Sequence, residues 1–216
     1  EGALGQAHER LDIEARIDTR ALSEFYAHPA LQALSGDFVI QAELSIDEQE
    51  HVHLQAHSSL AGMGIDLPAP AGKKEDLARP LTIQWQSMDA DAQHNYLFME
   101  MADVATVKAV FNVTDASIES LALTTNDEPI ELEPELLWAD IHRDHLDLDA
   151  WWDWYEKVID QSPESDWQWP AQSKLRIKAD QVQVLGFGLQ YFTYTHQLAA
   201  PGRWRAHGPG TRAPPR

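Results

Sequence analysis

The 216-residue sequence contains no cysteine. Disulfide staples, thiolate zinc sites and cysteine nucleophiles are excluded together, and stability has to come from packing. Positive charge is scarce too: 16 Lys and Arg stand against 35 Asp and Glu, for a net charge of −19. Such a surface repels nucleic-acid phosphates and anionic membrane surfaces, so nucleic acid is not an expected partner. No apolar run approaches the roughly 20 residues that cross a bilayer, and no glycine-rich phosphate fingerprint follows a strand-like segment. The chain starts at Glu1 with neither an initiator methionine nor a charged-then-apolar leader, which reads as a piece of something longer. The end, 207–216, is rich in Pro, Gly and Arg and reads as a disordered tail or a truncation scar.

What is present is alternation. Hydrophobic residues make up 44% of the chain, enough for a packed protein. In "RLDIEARI", Leu11, Ile13, Ala15 and Ile17 share one face and Asp12, Glu14 and Arg16 the other, as a half-wetted strand requires. The period changes in "DTRALSEFYAHPAL": Leu22, Phe25 and Tyr26 stand at helical spacing, Asp18 can cap the start and Pro29 breaks or kinks the helix. After Gly36 the period of two returns. "FVIQAELSI" puts Phe38, Ile40, Ala42, Leu44 and Ile46 on one side, and "HVHLQAHSSL" does so with Val52, Leu54 and Ala56; "DEQE" between them has hairpin length. Further strands are expected at 81–86, 94–102, 106–113, 117–125 and 129–141. A helix in "LDLDAWWDWYEKVID", capped by Asp147 or Asp149, comes next, then strands in "SKLRIKADQVQV", "GLQYFTYTHQL" and "RWRAH". Many short strands with polar turns and few crossover helices predict a mainly β fold built on an antiparallel meander, with two short helices.

Short chemical motifs are weak. His51, His53 and His57 fall on one strand face, where imidazoles two residues apart can chelate, but no Asp or Glu on that strand completes a ligand sphere, and a wet strand face is the plainer account. His-Arg-Asp at 142–144 opens like a kinase catalytic loop, yet Asp149 stands where that loop needs asparagine. His142, Asp144 and His145 then read as a solvated strand end before the helix cap. Ser58 and Ser59 lack elbow glycines and a triad. Asn112-Val113-Thr114 is a sequon of high chance frequency. Trp151, Trp152 and Trp154, with Tyr155 beside them and Trp167 and Trp169 beyond, suit core corners and interfaces first and lipid headgroup zones second. Neither catalysis, metal nor cofactor is expected.

The longest signal is "LSGDFVIQAELSI" followed by "HLQAHSSLAGMGIDLPAPAGKKEDLARPLTIQW". It resembles the central region of YhdP-family proteins, AsmA-like components of the Gram-negative envelope. Ser58, Leu60, Gly62, Ile65, Leu67, Pro68, Pro70, Gly72 and Lys73 fit the family's loop pattern in order, and "LDLDAWWDW" and the Gly-x-Trp ending at 202–204 agree with it. The resemblance implies that residues 1–206 are a fragment of a curved antiparallel sheet, open along one side, whose concave apolar face carries phospholipid tails between inner and outer membranes. It implies a periplasmic protein anchored to the inner membrane in full length, meeting both membranes through parts outside this chain, and supporting the outer-membrane permeability barrier. Leu11, Ile13, Ile40, Leu44, Val52, Leu54, Ile83 and Trp85 are the expected lipid-groove residues. The proline segment is expected to cap a sheet edge, to close over the groove, or to act as a rigid connection with Leu67 tucked into the core. The alternative is a periplasmic β-sandwich scaffold or interaction module, whose apolar face is covered by the chain itself.

Overall fold

A computed structural model describes residues 10–26, 29–88, 93–126, 128, 130–161 and 168–199. The expected strand at 203–207, the tail at 207–216 and Trp167 lie outside the described residues. The elements are β1 (Arg10–Asp18), α1 (Thr19–Tyr26), a 3-10 turn (Pro29–Ala33), β2 (Leu34–Ile46), β3 (Val52–Ser58), β4 (Met63–Ile65), β5 (Leu81–Ser87), β6 (His94–Met101), β7 (Ala105–Asn112), β8 (Ser117–Thr124), β9 (Leu136–Asp147), α2 (Leu148–Gln161), β10 (Gln172–Val184) and β11 (Phe187–Ala199).

The strands form one sheet in the order β1-β2-β3-β5-β6-β7-β8-β9-β10-β11, with β4 beside β2 off that path. Neighbours are antiparallel from β1 to β8 and again in β10–β11. The meander breaks at β9, which runs parallel to both β8 and β10, so the sheet is mixed. A parallel neighbour needs a crossover rather than a turn. α2 provides it between β9 and β10; residues 125–135 provide it between β8 and β9. That second crossover is why β9 starts at Leu136 rather than 129: Pro134 has no N–H for a ladder, and Ile130, 4% exposed, is anchored by its carbonyl to Lys108 Nζ at 2.8 Å. Among the described residues there is no second sheet, so they do not form the sandwich expected as the alternative.

Both helices start where their caps predict. Asp18 Oδ1 accepts from the Arg20 N–H at 2.9 Å, and Asp147 Oδ1 from the Ala150 N–H at 2.9 Å. Asp149, the other candidate cap, instead accepts from the N–H groups of Leu185 and Gly186 at 2.5 and 2.8 Å, tying the β10–β11 turn to the first turn of α2. α1 ends before Pro29, and the chain continues as the 3-10 turn.

Candidate functional site: an apolar face across nine strands

Paired residues in a sheet point to the same side, so the strand registers define the faces. One row runs Leu11, Leu44, Leu54, Trp85, Leu97, Ala109, Leu121, Leu137 from β1 to β9. The next runs Ile13, Ala42, Ala56, Ile83, Met99, Val107, Leu123, Ala139, Leu175 and reaches β10. At strand spacings of ~4.8 Å, nine strands make a track on the order of 40 Å long. Leu11, Ile13, Ile40, Leu44, Val52, Leu54, Ile83 and Trp85 all lie on this face. Leu11 is 56% and Ile13 37% exposed, and most of the other row members are half-buried.

The opposite face is polar. Asp140 is 4% exposed and takes a two-pronged contact from Arg176, whose Nε donates to Oδ1 at 2.7 Å and Nη2 to Oδ2. Lys174 Nζ stands 4.1 Å from the centre of the Trp138 ring.

The proline segment covers one end of the apolar face. Leu60, Met63 and Ile65 are buried, and Phe38, Leu81 and Met101, at the ends of their strands, pack against them together with Leu34 and Leu67. β4 fixes the segment by pairing with the start of β2. Ser58 Oγ donates to the Val39 carbonyl at 2.7 Å and accepts from the Leu60 N–H at 3.0 Å. Gly62 has φ 91°, and a Cβ there would sit 2.4 Å from the Asp37 carbonyl oxygen. Beyond Leu67, the Pro68 carbonyl accepts from the Ala71 and Gly72 N–H groups at 3.1 and 3.3 Å. Arg79 donates to the carbonyls of Pro70, Ala71 and Gly72. Lys73, 8% exposed, points inward: its Nζ donates to the carbonyls of Met63, Lys74 (3.2 Å) and Leu77 (2.8 Å), and burial draws its pKa below the usual lysine value. The motif lysine is a clasp for the segment's own backbone, a role its charge alone did not suggest.

α2 covers the same end from the other side. Leu148 and Trp151 pack against the cluster of Leu146, Ile177, Ala179 and Val182. Trp151 Nε1 donates to the Ala69 carbonyl at 3.2 Å, so helix and proline segment meet. Six sheet steps of ~4.8 Å separate β2 from β9, the strands at which the two pieces are rooted. Trp154 packs edge-on to Trp151, whereas Trp152, 61% exposed, and Tyr155 stand outward, and Trp169 is 47% exposed.

The histidines divide. His53 and His57 lie on the polar face of β3, and His51 just precedes it. No acid on β3 joins them, but Asp47 in the preceding turn stands with Oδ2 3.2 Å from His51 Nδ1 and 3.1 Å from His53 Nε2. It was missed because it lies off the strand. Among the described residues no group of three or more His, Cys, Asp or Glu has metal-holding geometry. His142, Asp144 and His145 are exposed at the end of β9. Asn112 Oδ1 accepts from the Thr114 and Asp115 N–H groups, shaping the β7–β8 turn.

Sequence reading did not single out Arg143. Its row, Arg143, Ala179, Phe192, lies on the apolar face. Burial lowers its pKa from the ordinary guanidinium value, with Asp103 and Asp144 acting in the opposite direction.

A family model described as YhdP protein matches residues 5–207. No curated protein and no solved structure matches the chain. Among the described residues no helix is long and apolar enough to cross a membrane.

Proposed function

The chain belongs to the YhdP family of envelope-associated proteins, and from that premise we propose that it is a segment of a non-enzymatic conduit that passes phospholipids between the inner and outer membranes. In this reading the protein lies in the periplasm, anchored to the inner membrane through parts outside this chain, and its traffic maintains the outer-membrane permeability barrier. The observation that carries the proposal is the pair of apolar rows running unbroken from β1 to β9 and left half-exposed. Each methylene laid on such a surface gains up to about 0.8 kcal/mol. Because successive row members are all aliphatic, thioether or indole groups, one position along the track resembles the next. A tail is held without being trapped, unlike a ligand in a pocket with fixed polar anchors.

The test is a photo-reactive amino acid placed at Leu44 or Leu54 in cells carrying the full-length protein. Crosslinks to phospholipid, found by mass spectrometry of the purified adduct, are the expected result, with no adduct from Gln55 on the opposite face. Crosslinks from Leu44 and Leu54 to protein alone would mean that another layer covers the face, and would return the segment to a scaffold role.

A further inference from the structure

Along the paired strands, the apolar face carries Leu, Ile, Val, Ala, Phe, Met, Trp, a few uncharged polar side chains and, on β11, His196, up to the row of Asp144, Asp180 and Tyr191. Arg143 breaks that pattern. β9 runs on past the end of β8 at Thr124, and Arg143 occupies the notch this leaves, where its Nη2 donates to the Val104 carbonyl in the turn between β6 and β7. It forms no ion pair with a carboxylate among the described residues, and its Nε is buried without an acceptor. Of the guanidinium's donors, Nη2 meets a carbonyl and only the Nε–H is buried without an acceptor, so the chain itself leaves the group incompletely satisfied. Asp103 and Asp144 act on its charge without pairing with it, and along the paired strands it is the one Lys or Arg on the apolar face. Its neighbours in the row, Ala179 and Phe192, belong to the cluster under Trp151, so the charge sits where the open rows meet the covered end.

We propose that Arg143 is an anchor for the phosphate of an amphiphile whose hydrocarbon tail lies along the apolar rows. A planar, permanently charged fork suits a phosphodiester, and placement beside the covered end lets the headgroup stay wet while the tail runs over β8 and β7. This assignment rests on the conduit reading and adds the residue that meets the headgroup.

The experiment loads the intact chain with a phospholipid or with a diacylglycerol of identical tails and measures the lipid retained by the wild type, Arg143→Gln, Arg143→Lys and, as a polar-face control, Lys178→Gln. Arg143→Gln should lower phospholipid retention about tenfold, the effect of losing a charge-assisted contact. Diacylglycerol retention should be unchanged, Arg143→Lys should recover part of the loss, and Lys178→Gln should have no effect. Equal loss of both lipids would reduce Arg143 to a plug in the fold, and no loss of either would remove it from lipid binding; both outcomes overturn the proposal. Should Arg143→Gln fail to fold, the ratio of phospholipid to diacylglycerol in Arg143→Lys reads the same preference. Inorganic phosphate that abolishes the Arg143-dependent part at millimolar concentration would reassign the site to a free anion. A wild type that retains neither lipid brings down the conduit reading and this one together; a wild type and an Arg143→Gln that retain both alike bring down this one alone.

Discussion

Asp47 accepts four hydrogen bonds, from the N–H groups of Gln49 and His51 at 2.9 Å each and from the rings of His51 and His53. The bond from His53 is the largest cause holding its carboxyl far below the ordinary aspartate value, with the other bonds adding and desolvation opposing. A carboxylate whose pKa is lower folded than unfolded adds stability that is complete above the unfolded value of about 4 and disappears as the folded group protonates. The stability gap between wild type and Asp47→Asn should therefore be present at pH 6 and shrink toward pH 3 in urea titrations; a gap that grows on acidification would mean that the histidine charges, not the aspartate, govern the turn. Lys73 gives a second prediction at this scale. Lys73→Met leaves three inward carbonyls without their donor, at a cost of roughly 2–4 kcal/mol, read as a lowered urea midpoint at unchanged slope.

At the scale of elements, the proline segment and α2 are held by different means. The segment is pinned by backbone approach: the Asp37 N–H bonds the Gly62 carbonyl at 3.1 Å, and Gly62 adopts a φ that side chains avoid. Gly62→Ala should cost more than about 2 kcal/mol, with hydrogen exchange rising in both β4 and the start of β2. The helix meets the segment through one indole bond, so Trp151→Phe, which keeps most of the packing, should cost only about 1 kcal/mol. Element positions were largely legible in the sequence because alternation, caps and Pro29 act locally. β4 was not: three residues inside a loop carry no period, and their strand exists only because β2 offers a partner. A second feature was present but unread. The paired rows skip Asp144, Asp180 and Tyr191, the last at φ 55°, and the buried positions change parity there, from Ile177 and Ala179 to Val182, and to Leu146 on β9. The same phase slip in adjacent strands marks an aligned irregularity.

At the scale of the molecule, function depends on continuity. Any one strand offers only a few apolar side chains; nine in register offer a track. Leu54 stands in register between Leu44 and Trp85, so Leu54→Glu should stop phospholipid passage in a cell-based permeability assay while leaving far-UV circular dichroism unchanged. The equivalent charge at Gln55, on the polar face, should be silent. Two silent variants would disconnect the rows from transport.

The sequence by itself determined the β character, the apolar face of each strand and the helix starts, because these follow from periods of 2 and 3.6 and from caps within a few residues. It also carried the family likeness. Only the tertiary structure decided that β9 runs parallel to both neighbours, that the proline segment and α2 cover the same end, that Asp47 joins two histidines and that Arg143 falls on the apolar side. Apart from the Asp47 contact, which closes within a single turn, each depends on which strands become neighbours across tens of residues, and residue periodicity is blind to that choice.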